Sequence, residues 1–376
     1  MHTENRIRRK IFMSKKQWKV AVIGCGSFAN GQYLPNIAKE THAVCVAAVD
    51  IVPERAQQAC EKYGIPNWYS SVYELIEKCD FDIAIDAASI QAHHEINMAV
   101  IKAGKHLISQ KPAAPTVEQM TEQIEAAKAA GVKFACAPIH NMRYDLNFAK
   151  QLVADGGIGN AYYAKCNSSH GGPEYFQYRD TDPSWFFEEG AGALVDMGVH
   201  GLQQVTYIMG AAKSVTCVGA VTTPVREVRS GACDGKLIQT GSMPDQYLIS
   251  LEFGNGKLAF VDCGFSQKAS KDPQLQIFGD QGTIAITEPY MTNPLPTVYI
   301  DSKERGIRGW MNPNPGVRTN AKLNSQCCIL RDLVEAIEND TNPVLSAEHA
   351  RHVLEIMSAI PVALKERRAV ELKTTF

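Results

Sequence analysis

Apolar runs and helix-length segments alternate along the first 140 residues. An apolar run, KVAVIG from Lys19, is followed by a glycine turn, a helix-length segment to about Glu40 and a second apolar run, HAVCVAAVD. The alternation continues with ERAQQACEKYG, HEINMAVIKAGK and VEQMTEQIEAAKAAG as predicted helices and with FDIAIDAA, HLIS and KFACAPI as predicted strands. Strands that alternate with helices of about 10–15 residues predict a parallel sheet covered on both faces.

The pattern changes after about residue 142, where apolar and polar residues alternate in longer segments such as GNAYYAKCNSSH, QYLISLEFG and GKLAFVDCGFS. Such alternation is typical of antiparallel strands with one face in water. A helical pattern returns over about 325–365. We therefore predict an α/β protein, with an N-terminal doubly wound parallel sheet of Rossmann type and a C-terminal α+β domain built on a large, mostly antiparallel sheet.

A glycine motif, GCGSFA, lies directly after the first predicted strand. Gly24, Gly26 and Ala29 have the GxGxxA spacing that permits a tight turn, close approach of a pyrophosphate and close helix packing. Asp50 ends the second predicted strand, where a carboxylate binds the adenosine ribose. These features predict NAD as the cofactor, in preference to NADP, because Ile51 supplies no cation for a 2'-phosphate. Ser27 and Phe28, within the motif, are further cofactor-binding candidates.

The length of 376 residues suits two domains. We expect a disordered extension at 1–16, an NAD-binding Rossmann domain at 17–140, and a substrate and oligomerisation domain at 141–376. Two segments, 222–246 and 288–326, are too long for simple turns, and we expect such loops to cover a site or reach a neighbouring subunit.

Composition and charge exclude several partners. A net charge of −2 leaves no basic surface for nucleic acid, and no apolar run reaches the roughly 18 residues that span a bilayer. The 11 cysteines contain no CxxC pair, which favours reduced thiols and a cytoplasmic location. Arg8 and Arg9 are followed by a basic segment and not by the apolar stretch of an export signal.

Polar residues follow two of the predicted parallel strands. Lys111 comes directly after HLIS, at the carboxyl edge of the sheet where ligands of open α/β folds bind. His93 follows FDIAIDAAS and is interpreted either as a cofactor contact or as a helix cap. In the second domain, Asp196 and His200 lie four residues apart on one face of a predicted helix, GALVDMGVHGLQQ. That pair alone is also compatible with a structural, capped histidine.

Six motifs together resemble the glucose-fructose oxidoreductase, inositol dehydrogenase and MocA (Gfo/Idh/MocA) family of NAD(P)-dependent enzymes. They occur in order over residues 18 to about 365: GCGSFA, the strand-end aspartate Asp50, QKP at 110–112, HNMRYD at 140–145, WFFEEGAGALVDMGVH at 185–200 and GDQGTI at 279–284. Two positions depart from the family pattern. Gln110 replaces its usual glutamate, and Ala88 with Ser89 replaces its usual Thr-Pro. We keep Ser89 and Gln110 as cofactor-binding candidates, together with Lys111.

The resemblance implies that Lys111, Asp196 and His200 surround the hydroxyl group that is oxidised. We expect His200 to be the base, Lys111 to stabilise the developing alkoxide, and Asp196 to bind a second hydroxyl or hold His200. The roles of Lys111 and His200 can be exchanged, because a desolvated lysine also titrates near neutrality. His170, Asp196 and His200 are also metal-ligating residue types, but we expect no metal because Lys111 already supplies the positive charge.

The expected activity is hydride transfer between NAD and a ring secondary hydroxyl of a sugar, glycoside or cyclitol, with a 3-keto sugar as one product. Additional substrate contacts are expected from the loop 168–187 and the preceding motif: His170, Tyr178, Asp180, Asn141 and Arg143. One alternative is an NAD-dependent, redox-assisted glycosidase, and another is a dinucleotide-sensing regulator. We expect a homodimer or homotetramer, because the final helices can cover only part of the sheet.

Overall fold

The computed structural model describes residues 16–40, 42–176, 182–188, 190–287, 296–313 and 325–376. The chain divides into two compact units that are discontinuous in sequence. The first consists of Met1–Gln110, Glu125–Ala135 and Ser325–Pro343, and the second of Lys111–Ile124, Cys136–Asn324 and Val344–Phe376. Within the described residues, no helix is both long enough and apolar enough to cross a bilayer.

The first unit is built on a six-stranded sheet with the order β3-β2-β1-β4-β5-β6. Every strand pair with an assigned register in this sheet is parallel. Its central strands β1 and β4 are almost wholly buried, as continuous apolar runs require, whereas the edge strand β3 is exposed; the parallel sheet confirms the predicted doubly wound fold. The strands are β1 Trp18–Ile23, β2 Ala43–Val49, β3 Asn67–Tyr69, β4 Ile83–Asp86, β5 His106–Ser109 and β6 Phe134–Cys136.

The predicted helices are present, including two in the helical region predicted at about 325–365, but the first crossover differs from the prediction. After the glycine turn, the chain forms a single π-helical turn, Ala29–Tyr33, and then a short α-helix. The α-helices of the described residues are α1 Ile37–Glu40, α2 Pro53–Tyr63, α3 Val72–Lys78, α4 Ile90–Lys102, α5 Val117–Ala130, α6 Tyr144–Ala154, α7 Pro173–Phe176, α8 Val199–Met209, α9 Cys328–Glu338 and α10 Ala347–Glu366. Helix α9 belongs to the first unit, where Glu338 accepts a hydrogen bond from the Trp18 indole at 3.2 Å.

The second unit contains a nine-stranded sheet with the order β16-β15-β14-β13-β7-β12-β11-β8-β17. Its pairs are antiparallel except for the central β7–β12 pair, so the prediction of a mostly antiparallel sheet is confirmed. The strands of this unit, including the separate hairpin β9–β10, are β7 Ala161–Ser169, β8 Ser214–Ala220, β9 Val225–Glu227, β10 Leu237–Gln239, β11 Gln246–Gly254, β12 Lys257–Gly264, β13 Leu275–Gly279, β14 Gly282–Ile286, β15 Thr297–Ser302, β16 Ile307–Met311 and β17 Val370–Glu371.

Helices α8 and α10 cover the buried face of this sheet. Strand β11 shows the pattern clearly, with Tyr247, Ile249 and Leu251 buried and the residues between them turned to the other face. Gly201 lets α8 lie close to the sheet, because a Cβ atom at that position would be 2.6 Å from Cβ of Ser168. The packing places the N-terminal end of α8 beside the ends of β7 and β12.

The two long segments contain more regular structure than their composition suggests. Segment 222–246 includes the hairpin β9–β10, and Arg226 on β9 is buried. Segment 288–326 contains β15 and β16, while residues 288–295 and 314–324 lie outside the described part of the chain, as do residues 1–15 of the predicted extension.

Candidate active site

The glycine turn after β1 has the geometry that a dinucleotide phosphate requires. Gly24 has φ +88°, and a Cβ atom there would lie 2.7 Å from backbone atoms of Ala87 and Ala88, so only glycine fits. Gly26 is exposed, with no heavy atom within 4 Å of its would-be Cβ. The open space beside Gly26 is suited to a pyrophosphate that approaches the backbone. The exposed Ser27 borders this space, while Ala29 is buried at the start of the π-helical turn.

Asp50 lies beside this turn at the end of β2. Its Oδ2 accepts a hydrogen bond from the Cys25 amide at 2.8 Å, and Oδ1 accepts one from the Val52 amide at 2.9 Å. Each oxygen keeps a further lone pair for a ribose hydroxyl. The next side chain, Ile51, is 89% exposed and apolar. The residues of this edge therefore fit NAD, and Asp50 is the residue that would hold its ribose.

The ends of β4 and β5 carry the remaining cofactor candidates. Ser89 is exposed at the N-terminus of α4, whereas His93 is buried, with Nε2 3.1 Å from the Ala88 carbonyl. Gln110 donates a hydrogen bond to the Tyr33 hydroxyl, and the Phe28 ring packs edge-on against Tyr33. Among these cofactor candidates, His93 and Gln110 contact other protein groups through their side chains.

Asp86, at the end of β4, is a buried carboxyl that the sequence interpretation overlooked. Its Oδ1 accepts a hydrogen bond from the Ala88 amide at 3.0 Å and lies 4.0 Å from His93 Nε2. Burial raises the pKa of Asp86 to about 6, although His93 and the Ala88 amide act in the opposite direction. The signal was present in the sequence, since Asp86 is a charged residue within an otherwise apolar strand.

In the second unit, Lys111 and Asp196 meet directly. Lys111 Nζ lies 3.4 Å from Asp196 Oδ1 and donates to the Asp196 carbonyl at 3.2 Å. Asp196 lies on a π-helical turn, Leu194–Gly198, that precedes α8, whereas the sequence predicted an α-helix from its first turn. π-Helical turns of this kind are frequent at functional sites. Both side chains keep about a fifth of their surface exposed, so a ligand can reach the pair.

His170 lies on the other side of the Asp196 carboxylate. Its Nδ1 accepts a hydrogen bond from the Gly172 amide at 2.9 Å, so in the neutral ring the proton is on Nε2, which lies 4.0 Å from Asp196 Oδ2. Its ring also stacks on Phe265. Burial lowers the pKa of His170, while Asp196 acts in the opposite direction.

His200 lies at the start of α8. Its partner is His140, whereas the partner of Asp196 is Lys111. Nδ1 of His200 lies 2.8 Å from Nε2 of His140, on a 3-10 turn just after β6. Burial lowers the pKa of His200 well below its ordinary value, and Lys111 and His170 lower it further. The imidazole is therefore neutral near pH 7 and able to accept a proton. The motif at 140–145 had drawn attention to Asn141 and Arg143, and His140 was missed.

Asn141 and Arg143, predicted as substrate contacts, are both buried and turned to protein partners. The Asn141 amide is 3.1 Å from His349 Nδ1. The Arg143 guanidinium pairs with Asp145 and donates to Gln274 at 3.1 Å. The other two predicted contacts, Tyr178 and Asp180, lie outside the described residues.

A buried ion network holds the segment that follows His170. Arg226 donates to Glu174 at 2.7 Å, to Asp245 at 2.6 Å and to the Phe265 carbonyl at 2.9 Å. All three charged side chains are at most 6% exposed. The network joins α7 and the hairpin β9–β10 to Asp245, just before β11, and to Phe265, whose ring stacks on His170.

Two family models match consecutive parts of the chain. Residues 18–137 match the model of the oxidoreductase family with an NAD-binding Rossmann fold, and residues 146–285 match the GFO/IDH/MocA C-terminal domain. Together the two models match well over half of the chain.

The chain is also similar to individual enzymes over most of its length. It is 25% identical over 358 residues to myo-inositol 2-dehydrogenase of Thermotoga maritima, covering 94% of this chain and 98% of the relative. It is 25% identical over 263 residues to D-glucoside 3-dehydrogenase of Escherichia coli, covering 68% and 73%.

Among solved structures, levoglucosan dehydrogenase in complex with NADH and L-sorbose has a TM-score of 0.78 at 21% identity, covering 95% of this chain and 99% of that one. The oxidoreductase models favour an enzyme over the dinucleotide-sensing regulator, and they confirm the predicted cofactor class. The chain belongs to the Gfo/Idh/MocA family and is an NAD-dependent oxidoreductase.

Proposed function

We propose that this enzyme oxidises a ring secondary hydroxyl of a sugar, glycoside or cyclitol, and that Lys111, Asp196 and His200 act on that hydroxyl. The observation that carries the proposal is the Lys111 ammonium 3.4 Å from the Asp196 carboxylate, with the neutral His200 imidazole close enough for Lys111 to lower its pKa. An ammonium, a carboxylate and an uncharged imidazole are the groups needed to bind a polyol and remove one proton.

Proton removal is assigned to His200. The pKa of its imidazole is lowered by burial and by Lys111, so the ring is unprotonated before substrate binds. A positioned base of this kind contributes about 10²–10⁴-fold to the rate. Bound NAD supplies the hydride acceptor for the carbon that carries the hydroxyl.

Lys111 and Asp196 are assigned complementary roles. The Lys111 ammonium stabilises the alkoxide as the proton leaves. Asp196 accepts a hydrogen bond from a neighbouring hydroxyl, and His170, 4.0 Å from its other oxygen, borders the same place. A substrate with two adjacent ring hydroxyls satisfies both groups, which favours a sugar or a cyclitol.

The test is a substrate screen with purified protein and NAD, followed by the absorbance of reduced nicotinamide. The first compounds are myo-inositol, methyl glucosides and levoglucosan, chosen from the names of the similar enzymes. We expect stoichiometric NADH and a ring ketone, with a 3-keto sugar from a glucoside. Absence of NADH with every polyol, in a protein that binds NAD, would contradict the proposal.

The same screen separates the glycosidase alternative. A redox-assisted glycosidase oxidises the ring transiently, eliminates the aglycone and then reduces the ring again. Release of p-nitrophenol from a nitrophenyl glycoside without accumulation of NADH would identify that activity.

We also propose that the open face of the nine-stranded sheet binds a second copy of the chain. One register row across this face is rich in aromatic and apolar side chains, and Leu258 and Trp310 on it are 52% and 59% exposed. Rings pack along the row, Tyr163 on Phe278 and Tyr299 on Trp310. The row consists of Leu258, Tyr163, Phe278, Thr283, Tyr299 and Trp310.

Sedimentation at micromolar concentration tests this assembly. We expect a homodimer or homotetramer, and we expect Leu258→Glu with Trp310→Lys to shift it to the monomer. Trp68→Lys is the matched control, since Trp68 is 43% exposed in the first unit. A monomeric wild-type protein would contradict the proposal.

A further inference from the structure

A buried histidine, His140, and a partly buried one, His200, form a direct pair in the second unit that the proposed catalytic set does not explain. His140 Nε2 and His200 Nδ1 are 2.8 Å apart, and their rings meet edge-on at 89°. They come from separate segments, the 3-10 turn after β6 and the start of α8. The pair occupies one of the two nitrogens of His200, so only Nε2 of that ring is available to a ligand.

The hydrogen bond admits two proton arrangements, which differ in what His200 can do. Either His200 Nδ1 carries the proton and donates the hydrogen bond to Nε2 of His140, or His140 Nε2 carries the proton and donates the hydrogen bond to Nδ1 of His200. In the first arrangement Nε2 of a neutral His200 has a lone pair. In the second, that nitrogen carries a hydrogen and cannot accept another proton.

The surrounding charges favour two neutral rings. Burial lowers the pKa of both histidines well below the ordinary value; Lys111 and His170 act on His200 in the same direction, and His200, Arg143 and Lys111 act on His140. The nearby carboxylate, Asp196, is directed at Lys111 and His170. Lys111 acts on His200 electrostatically, and because Nδ1 of His200 faces His140, Nε2 is the nitrogen that can offer a lone pair to that cation.

We propose that His140 is a positioning residue that fixes the tautomer of His200. His140 accepts a hydrogen bond at Nε2 from Nδ1–H of His200, which leaves Nε2 of His200 unprotonated to take the proton of the substrate hydroxyl. This inference rests on the proposed role of His200 as the base. When His200 gains that proton, its bond to His140 becomes charge-assisted and stronger, while a neutral acceptor still allows the proton to return.

The proton positions are tested directly by NMR of protein labelled with ¹⁵N in its ten histidines. Long-range proton–nitrogen correlations distinguish a protonated ring nitrogen from an unprotonated one, and His140→Gln and His200→Gln assign the two rings. We expect His200 protonated at Nδ1 and His140 unprotonated at Nε2 near pH 7. A proton on Nε2 of His200 would overturn the proposal. This measurement needs no substrate, so it stands even if the proposed activity is wrong.

The effect on the base is tested by the pH profile of kcat/KM for three variants. His140→Glu puts a carboxylate against His200, and we expect it to move the acidic limb upward by about one unit or more. His140→Phe removes the acceptor, and we expect kcat to fall about 10–100-fold with KM little changed. His140→Gln keeps an acceptor oxygen and should restore most of the loss.

His352→Gln is the matched control. His352 is fully buried in the same unit and accepts a hydrogen bond from the Ala212 amide at 2.9 Å. We expect this variant to change the unfolding midpoint and to leave the acidic limb in place. A folded His140→Glu variant with the wild-type pH profile, or His140→Phe with the wild-type kcat, would overturn the proposal.

Discussion

The cofactor edge of the first unit and the Lys111 cluster of the second are built in different ways. The cofactor edge consists of strand ends of one parallel sheet, and its central elements are a glycine turn and the Asp50 carboxylate, held by two backbone amides. The cluster consists of ionisable side chains from four segments, at Lys111, His140, His170 and residues 194–200, which carry Asp196 and His200. Backbone geometry shapes the first site, and desolvation of side chains shapes the second.

This difference separates binding from chemistry. The backbone amides and small residues of the glycine turn can hold a dinucleotide, but a backbone amide does not accept a proton near neutral pH. The cluster has the opposite character, because burial and Lys111 keep His200 neutral. We therefore expect substitutions in the cluster to change the rate, and substitutions at Asp50 to change cofactor affinity.

The largest expected effect comes from removing the charge or the base of the cluster. Lys111→Ala and His200→Ala should each lower kcat/KM about 10²–10⁴-fold, through loss of alkoxide stabilisation and of the base. NAD affinity, measured by fluorescence titration, should stay close to that of the wild type. Lys128→Ala, on the exposed side of α5, is the control. Near wild-type turnover of both variants would contradict the catalytic assignment and leave a structural role for the Asp196 and His200 pair.

The second effect concerns the ion network that fixes the His170 segment. Arg226→Met leaves the Glu174 and Asp245 carboxylates buried without their cation. Removing one partner of a buried ion pair destabilises the folded state by about 3–5 kcal/mol. We expect a matching loss in the free energy of unfolding, measured by urea denaturation. Arg308→Met is the control, because Arg308 is 76% exposed beside Asp301 and water screens that pair. Equal losses from the two variants would show that burial of the network has no energetic consequence.

The same contrast explains what the sequence could predict. Parallel strands all end at one edge of their sheet, so strand order and the GxGxxA spacing were enough to place Gly24, Gly26 and Asp50 together. Asp196 and His200 were placed on one turn by their spacing. Their partners were not, because the contact of His200 with His140 spans 60 residues and depends on how α8 packs against the turn after β6.

Two further features had only weak local signals. Helix α9 lies between β16 and β17 of the second sheet in sequence and yet belongs to the first unit, and its amphipathic pattern does not say which core its apolar face covers. The π-helical turn at Leu194–Gly198 has the residue pattern of an ordinary helix. Both are decided by tertiary packing, which overrides local propensity.

A third prediction concerns Asp86, a carboxyl that is fully buried at the cofactor edge. Its pKa is raised to about 6 from 3.8, so between about pH 4 and 6 the folded state binds more protons than the unfolded state. The free energy of unfolding therefore falls as pH rises through this window. Asp86→Asn removes the titration and keeps an acceptor for the Ala88 amide. From pH 4 to pH 8, its stability relative to wild type should rise by about 1–3 kcal/mol. Urea denaturation at pH 4 and pH 8 measures both free energies of unfolding. If the difference between variant and wild type is the same at both pH values, the raised pKa of Asp86 is contradicted.

The smallest effect is cofactor choice, which tests whether the edge around Asp50 recognises the ribose as its geometry suggests. The carboxylate repels a 2'-phosphate, and the exposed Ile51 offers no cation to bind one. We expect the wild-type protein to bind NAD at least about tenfold more tightly than NADP, a difference of about 1.4 kcal/mol. Asp50→Ser with Ile51→Arg should reverse that order in a fluorescence titration. Arg55→Ala is the control, since Arg55 is an exposed residue in the first turn of α2 and should not contribute to the discrimination. If Arg55→Ala loses the NAD preference and the double variant keeps it, the assignment of the ribose contact to Asp50 is wrong and the contact lies in α2.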